Sequence, residues 1–441
     1  MNVYLDSVGC RLNQSEIESY ARQFRAAGHV LVPSMEEAEL MVLNTCAVTQ
    51  SAVADSRKKV RQAKRAGVAE IVVTGCWSDI EGQRALAMPG VKTVIPNHRK
   101  DVLVSEILDT PFESFDLEPV VREPIPGSRL KTRAFIKVQD GCDNRCTFCV
   151  TTIARGEGRS RSVEAIEADI RAALLGGSKE IVLTGVHLGS WGYDFDQPKH
   201  LKNLVLKLLE NEAIPRLRLS SLEPWDLGSD FFDLWDDPRL CRHLHLPLQS
   251  GSASTLRRMA RNTTPMKYRQ LLATARQAVP EMAITTDLIV GFPGESEAEF
   301  GESLAFVEEM QFADAHTFTY SERPGTAAAS MPNQVQNGLR KIRNRQMREL
   351  VEKSAADYRR RFLNSEFEVL WESEEATDSL SFLSAGLTDN YLRVETESPV
   401  SLWNQFQPAK LVALSPKGLR GQIQASAEHI WFEKNRRDHA G

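Results

Sequence analysis

The first hundred residues alternate short apolar runs with longer segments in which apolar residues recur every three or four positions. The apolar runs VYLDSV, ELMVLN and EIVVTG are typical of buried strands. Residues 13–27 and 51–66 have helical spacing, and these segments stop at Gly28 and Gly67, where helices commonly end. The order predicts a βαβαβ domain with a parallel sheet.

A second alternating region begins with the run FIKVQ and contains six strand-like runs in all. The other five are EIVLTG, RLRLSS, HLHLPL, ITTDLIVG and AHTFTYS, and the predicted helices between them are 163–175, 201–211, 268–278 and 297–310. Six such units predict a full or partial β/α barrel, with functional groups at the carboxyl ends of its strands. The segments GVHLG, SSLEP, PLQSG and VGFPGE occupy that position.

The pattern changes again toward the end of the chain. A long basic helix is predicted over 340–362, and five short alternating runs then indicate a small all-β barrel. A stretch rich in proline and acidic residues before the β/α barrel is interpreted as a linker. The fold class is α/β, and the predicted divisions are an N-terminal domain 1–112, a linker 113–130, a barrel domain 131–363 and a C-terminal barrel 364–434.

Composition describes an ordinary soluble protein, with 42% hydrophobic and 26% charged residues in 441. There is no apolar run of about 18 residues and no signal-peptide pattern, so a cytoplasmic protein without membrane spans is expected. The net charge of −5 argues weakly against a nucleic-acid partner. Basic residues nevertheless cluster in 57–65, 155–161 and 340–361, so binding of a nucleic-acid phosphate backbone is not excluded by the net charge.

Three of the seven cysteines, Cys142, Cys146 and Cys149, form the stretch CDNRCTFC with spacing C-x3-C-x2-C. Structural zinc takes four ligands, and no fourth Cys or His is close in sequence. Cys241 lies beside Arg and His in a strand region and is interpreted as structural. A 4Fe–4S cluster fits better, because it takes thiolates at short spacings and three of them leave one iron open to another ligand.

Three further cysteines, Cys10, Cys46 and Cys76, each follow one of the N-terminal strands. The carboxyl ends of parallel strands form the crevice where ligands bind, so we expect these thiols to converge at one edge. The alternative is three separate, buried, small apolar residues.

These motifs resemble the radical S-adenosylmethionine (SAM) superfamily and, over nearly the whole chain, its methylthiotransferase family. The family-like segments are SVGCRLNQSE, NTCAV, TGC, FIKVQDGCDNRCTFC, ARG followed by RSR, PLQSG, DLIVGFPGE and FTYSERPGTAA. The C-terminal segment with GLTDNYLRVE is similar to the TRAM module, an OB-like barrel that binds RNA. Thr152 stands where many members have proline, and we expect a local backbone change there without loss of activity.

The resemblance implies two 4Fe–4S clusters. Cys142, Cys146 and Cys149 would hold the cluster that cleaves SAM to methionine and a 5′-deoxyadenosyl radical. Cys10, Cys46 and Cys76 would hold an auxiliary cluster carrying the sulfur that a second SAM methylates. The methylthio group then replaces a substrate hydrogen. The family also implies an electron donor such as flavodoxin or ferredoxin, and a sulfur donor; no catalytic residue is assigned beyond the cluster ligands.

Five residues are candidate SAM contacts. Phe148 would offer its backbone to the adenine, and Gly185 ends a strand where SAM would approach closely. Ser220, Ser221 and Gln249 lie at other strand ends and suit hydrogen bonds to ribose or carboxylate. The alternatives are that Gly185 only makes a turn and that the serines only begin a loop.

The family's branches modify tRNA adenosine carrying threonylcarbamoyl or isopentenyl, next to the anticodon at ring carbon 2, or an aspartate of a ribosomal protein. GCRLNQSE and GLTDNYLRV most resemble the threonylcarbamoyladenosine branch, and the ribosomal-protein branch has Pro-Lys where Arg11 and Leu12 stand. The partner would be the tRNA anticodon stem-loop, with helix 340–361 and Arg155, Arg159 and Arg161 meeting phosphates. Alternatives of another class are an Fe–S electron carrier and a non-catalytic RNA-binding protein.

Overall fold

The computed structural model describes residues 1–111, 122–126, 132–377, 381–416 and 418–423. The chain forms two compact units, Met1–Val351 and Glu352–Gly441. The first unit contains a parallel sheet and a β/α barrel, and the second contains a small β barrel.

The N-terminal part of the first unit is a five-stranded parallel sheet of order β2-β1-β3-β4-β5. Its strands are β1 Asn2–Ser7, β2 Val30–Leu31, β3 Leu40–Thr45, β4 Glu70–Gly75 and β5 Val91–Ile95, and its helices are α1 Arg11–Ala26, α2 Gln50–Arg65, α3 Cys76–Ile80, α4 Gly82–Leu86 and α5 Leu103–Leu108. Helix α1 buries Ile17, Tyr20 and Phe24 in a core shared with Val3 and Leu5 of β1. The predicted parallel sheet is confirmed, with two additional strands.

The rest of the first unit is a partial β/α barrel. Its strands are β6 Arg133–Lys137, β7 Gln139–Asp140, β8 Arg159–Ser160, β9 Glu180–Thr184, β10 Leu217–Leu219, β11 His243–His245, β12 Ala283–Val290 and β13 Asp314–Thr319. Its helices are α6 Thr151–Arg155, α7 Val163–Leu175, α8 Leu201–Leu209, α9 Ala253–Arg258, α10 Pro265–Ala278 and α11 Glu297–Met310.

Six of these strands form the barrel wall in two parallel sheets, β10-β9-β6 and β11-β12-β13. Single parallel bridges, such as that between Ser221 and His245, join the two sheets. Helix α1 packs against β6, the first strand of the wall. The helices that return along the outside begin at capping residues; Ser296, for example, forms a capping box with Glu299 at α11.

The last described helix, α12 Asn337–Arg360, crosses the boundary between the two units. The second unit then forms a closed five-stranded barrel of order β14-β15-β16-β18-β17. Its strands are β14 Glu366–Ala376, β15 Phe382–Thr388, β16 Arg393–Ser398, β17 Phe406–Ser415 and β18 Gly418–Ile423. The small C-terminal barrel expected from the sequence is confirmed, and residues 424–434 of the predicted module lie outside the described residues.

Only residues 122–126 of the predicted linker 113–130 belong to the described chain. There Arg122 is buried and donates to both carboxylate oxygens of Glu18 on α1, at 2.9 and 2.7 Å, and to the Ser178 hydroxyl at 2.8 Å. This short stretch therefore ties the N-terminal sheet to the barrel. Among the described helices, none has the length and apolar character needed to cross a membrane.

Candidate functional site

The structure brings Cys10, Cys46 and Cys76 together at one edge of the N-terminal sheet. Their strands are in register, so that Ser7 pairs with Asn44 and Thr45 with Gly75 just before the cysteines. A Cβ placed on Gly9 would lie 2.8 Å from the Cys46 sulfur, which shows how closely the chain before Cys10 approaches Cys46. Burial raises the pKa of the Cys46 thiol to about 11, and the neighbouring Cys10 and Cys76 act in the same direction.

Glycines that precede the cysteines allow the sharp turns at the strand ends. Gly75, before Cys76, has φ 98°, and a Cβ there would lie 2.3 Å from the Thr45 carbonyl oxygen. Gly141, before Cys142, has φ 72°, and a Cβ there would lie 1.8 Å from a backbone oxygen. Both positions combine left-handed backbone with close packing, so only glycine fits them without displacing backbone.

The loop carrying Cys142, Cys146 and Cys149 lies at the carboxyl edge of the barrel and is held by backbone hydrogen bonds. Thr147 donates its N–H to the Met259 carbonyl at 3.1 Å, and its own carbonyl accepts from the Ala328 N–H at 2.9 Å. The Thr147 hydroxyl also donates to the Arg258 carbonyl at 2.8 Å. The middle of the loop is thereby fastened to the end of α9 and to the loop after β13.

Positive groups lie against this cysteine loop. Arg261 Nη1 lies 3.6 Å from the Cys146 sulfur, and the guanidinium also forms a two-point pair with Glu223 at 3.0 and 2.6 Å. His187 Nε2 lies 2.7 Å from Asp226. Burial alone would lower the pKa of His187, but hydrogen bonds to Asp226 and Cys142 and the Asp226 charge raise it to about 10. Two cations thus neighbour the thiols.

The donor set fits iron–sulfur clusters better than single metal ions. Within the described ranges, no three His, Cys, Asp or Glu side chains converge closely enough to hold one ion. Each triad supplies three thiols, and thiolates are the ligands that hold iron–sulfur clusters. The cations beside Cys146 and Cys142 would offset the negative charge of such a thiolate-bound group. Cys241 is buried elsewhere, 3.8 Å from a carboxylate oxygen of Glu180.

The predicted SAM contacts follow three strands of the barrel wall. Gly185 comes directly after β9, and a Cβ there would lie 3.1 Å from the Gln139 side-chain oxygen. Ser220 and Ser221 come after β10; the Ser220 hydroxyl is buried and has no hydrogen-bond partner among the described residues. Gln249 follows β11 with φ 74°. All four lie near the carboxyl ends of parallel strands, as expected.

Phe148, the fifth predicted contact, lies between Cys146 and Cys149. Its ring packs edge-on against Phe292, with 6.5 Å between ring centroids, and joins a small apolar cluster that includes Met259. The side chain thus anchors the cysteine loop.

Sequence reasoning missed a buried ionic network between the two triads. Arg155 ends α6, the helix after Cys149, and donates to Asp140 at 2.7 Å, to Asn13 at 2.9 Å and to Glu16 at 3.1 Å. Glu16 also accepts from Lys100 at 2.7 Å. Burial opposes ionisation of Glu16, but Lys100 and Arg155 outweigh it and hold its pKa well below the usual value.

The prediction that Arg155 meets tRNA phosphates is therefore wrong, because this side chain is buried and engaged with carboxylates. One available signal was the polar pair Asn13 and Glu16 on the buried face of α1, beside the apolar Leu12 and Ile17. Polar residues on a buried face need partners inside the protein.

The basic helix α12 also differs from a uniformly exposed phosphate-binding surface. Arg343 is buried and donates to Glu295 at 2.7 Å, and Arg340 donates to the Tyr320 carbonyl at 3.0 Å. Arg345 and Arg348 are exposed. Only part of the predicted basic surface on this helix therefore faces solvent.

Comparison with known proteins identifies two family models in the chain. Residues 136–307 match the Radical SAM superfamily, and residues 2–96 match the uncharacterized protein family UPF0004. These two stretches contain all six cysteines of the two triads.

Relatives match over most of the chain. The threonylcarbamoyladenosine tRNA methylthiotransferase MtaB of Bacillus subtilis is 33% identical over 89% of this chain and 89% of its own length. MtaB of Thermotoga maritima is 36% identical over 95% of this chain and 96% of its own. The tRNA-2-methylthio-N(6)-dimethylallyladenosine synthase of Caldicellulosiruptor saccharolyticus is 32% identical over 95% and 92%.

Among solved structures, the radical SAM methyltransferase TsrM from Kitasatospora setae is similar in fold, with a TM-score of 0.56 and 13% identity over 74% of this chain and 77% of that chain. This likeness shows the fold alone, whereas the sequence relatives show the family. The chain belongs to the radical-SAM methylthiotransferase family, and it is accordingly an enzyme, a transferase.

Proposed function

We propose that this enzyme adds a methylthio group at ring carbon 2 of threonylcarbamoyladenosine, next to the anticodon of tRNA. The observation that carries the proposal is the pair of cysteine triads, at the strand ends of two sheets within one compact unit. The substrate is supported by the names of relatives that are 33% and 36% identical over most of the chain.

The two triads would have different roles. Cys142, Cys146 and Cys149 would hold one 4Fe–4S cluster, and Cys10, Cys46 and Cys76 a second. When bound, the clusters would supply reductive cleavage of SAM and a site for the sulfur to be transferred; in all, two SAM molecules would be used. The protein's own share is to fix the geometry of both triads and to exclude water around them.

Groups at the barrel edge would bind and orient SAM. Ser220 offers a buried hydroxyl with no partner among the described residues, and Gly185 presents backbone without a side chain at a strand end, where a Cβ would lie 3.1 Å from the Gln139 side-chain oxygen. Ser221, Gln249 and the backbone of Phe148 complete the proposed set. A buried hydroxyl without a partner is costly, and a bound polar ligand would remove that cost.

The proposed partners follow from the reaction. The tRNA anticodon stem-loop would be the substrate, and the C-terminal barrel, residues 364–434, would bind RNA as a TRAM-like module. The division into a domain 1–112 and a barrel domain 131–363 would separate the auxiliary cluster from the SAM-cleaving one. An electron donor such as flavodoxin or ferredoxin, a sulfur donor and a cytoplasmic location complete the proposal.

A second candidate substrate is isopentenyladenosine in the same tRNA position. It is favoured by the 32% identity over 95% of the chain to a dimethylallyladenosine synthase. Nucleoside mass spectrometry of total tRNA from cells with and without the gene separates the two. Loss of methylthio-threonylcarbamoyladenosine, restored by complementation, supports the proposal; loss of the isopentenyl form instead supports the second candidate.

A further inference from the structure

A cavity of about 540 Å³ lies between α2 of the N-terminal sheet and the loop after β13. Helix α2 contributes Gln50, Val53 and Arg57, and the loop contributes Glu322 and Arg323. Its volume lies within the range of roughly 300–1,000 Å³ typical of small-molecule sites. The proposed SAM contacts and the ionic network around Arg155 do not line it.

Arg323 is the unusual member of this lining. It is only 7% exposed, yet its Nε has no hydrogen-bond partner among the described residues, and its Nη2 donates to the Ser321 hydroxyl at 3.2 Å. Within the described chain, no carboxylate lies within 4.0 Å of it. Burial lowers the pKa of Arg323, and the charges of Cys46 and Glu81 only partly oppose this.

The other charges in the cavity do not satisfy Arg323. Glu81 is engaged by Arg57 at 2.8 Å and also accepts from the Trp77 indole at 3.2 Å. Glu322 is exposed to solvent. Because a buried guanidinium without a counter-charge is costly, the cavity favours an anionic ligand that completes the pair.

The position of Arg323 relates it to both cysteine triads. The charge of Cys46, which lies just before α2, raises the pKa of Arg323 against the effect of burial. Its own carbonyl accepts from the Thr326 hydroxyl at 2.8 Å, and the same loop donates from the Ala328 N–H to the Thr147 carbonyl, between Cys146 and Cys149. A ligand paired with Arg323 would therefore lie beside the loop that fastens the barrel triad.

We propose that this cavity is an anion subsite for the RNA substrate, in which Arg323 pairs with anionic oxygens of the modified nucleotide or its neighbour. This inference rests on the proposed function. Two parts of the substrate carry that chemistry: the carboxylate of the threonylcarbamoyl group and a backbone phosphate. A guanidinium binds both well, because its planar fork matches two oxygens.

The test measures RNA binding by the cluster-loaded, full-length protein under anaerobic conditions, with fluorescent anticodon stem-loops. The RNAs carry threonylcarbamoyladenosine, its neutral carboxamide analogue, isopentenyladenosine or unmodified adenosine. The variants are Arg323→Gln and Arg323→Lys. The control is Arg61→Gln, which removes an exposed charge from α2, the helix that lines the cavity, at a position outside the lining. Iron content and the electron paramagnetic resonance spectrum of each variant verify that both clusters are assembled.

We expect Arg323→Gln to weaken binding of the threonylcarbamoyl RNA about tenfold, the value of one charge-assisted hydrogen bond, while Arg323→Lys retains part of the affinity. Weakening confined to the RNA with the free carboxylate assigns the subsite to that carboxylate. Equal weakening for all four RNAs assigns it to a phosphate. Arg61→Gln should affect binding less than Arg323→Gln in either case.

The proposal is overturned if Arg323→Gln binds every RNA as the wild type does, or if its only effect is a changed cluster spectrum. The second result would mean that Arg323 influences the cluster of the N-terminal triad and does not bind RNA. Failure of the proposed function is seen separately, as wild-type protein that methylthiolates the isopentenyl RNA and leaves the threonylcarbamoyl RNA unchanged.

Discussion

Arg155 Nη2 lies 2.9 Å from the side-chain oxygen of Asn13, and that oxygen is also 3.5 Å from the Cys10 sulfur. Arg155 ends the helix that follows Cys149, so this contact joins the barrel triad to the N-terminal triad. Asp140, two residues before Cys142, accepts from the same guanidinium at 2.7 Å. A single buried side chain thus ties together segments that carry ligands of both proposed clusters.

Replacing Arg155 with glutamine should uncouple the triads. It leaves Glu16 and Asp140 buried with fewer partners, and breaking a buried pair costs roughly 3–5 kcal/mol of unfolding free energy. We expect a lower melting temperature in calorimetry and a greater fall in methylthiolated product than in SAM cleavage. Arg171→Gln, at an exposed position on α7 outside the predicted RNA-binding surfaces, is the control. Equal melting temperatures and product yields for the two variants would contradict the role given to Arg155.

Iron analysis tests the assignment of the six cysteines. The reconstituted chain should hold about eight iron atoms, and about half of them should remain when Cys142, Cys146 and Cys149 become alanine. The variant with Cys10, Cys46 and Cys76 replaced should also keep about half, and it should still cleave SAM. Iron content that does not change in either variant would exclude the two-cluster assignment.

Gly75→Ala should disturb the N-terminal triad selectively. A left-handed backbone costs a side-chain-bearing residue roughly 1–3 kcal/mol, and the Cβ would also meet the Thr45 carbonyl at 2.3 Å. We expect loss of iron from this site and of methylthio transfer, with SAM cleavage retained. Gly82→Ala is the matched control, because a Cβ there has no neighbour within 4 Å. If both variants lose iron equally, the backbone argument fails.

Arg261 should tune the cluster proposed for the barrel triad. Its guanidinium lies 3.6 Å from the Cys146 sulfur, and hydrogen bonds and positive charge near sulfur ligands stabilise the reduced cluster. Arg261→Gln should lower the reduction potential on the order of 60 mV, equivalent to a tenfold change for one electron. A redox titration followed by electron paramagnetic resonance measures this shift. An unchanged potential would show that Arg261 acts only through its pair with Glu223.

Much of the fold could be predicted from local pattern alone. The α7 and α11 bounds, Val163–Leu175 and Glu297–Met310, coincide with the predicted helices, because serine caps and apolar periodicity mark them in the sequence. Convergence of the N-terminal cysteines was also predictable, since parallel strands place their carboxyl ends at one edge.

Long-range pairing of charged residues could not be predicted in the same way. Arg155 and Glu16 are 139 positions apart, and nothing near either residue in sequence reveals the other. The stretch ARGEGRSR has the composition of an exposed basic loop, although its first arginine is buried. Arg323 likewise becomes notable only when the fold shows that its neighbours leave its Nε without a partner.

The most direct test uses the purified, cluster-loaded protein with SAM, a reductant and two anticodon stem-loops, one with threonylcarbamoyladenosine and one with isopentenyladenosine. We expect mass spectrometry to find a methylthio group in place of hydrogen at ring carbon 2 of the first RNA, with the second unchanged. Product on the isopentenyl RNA alone would contradict the substrate. SAM cleavage without product on either RNA would contradict tRNA methylthiolation at these nucleosides.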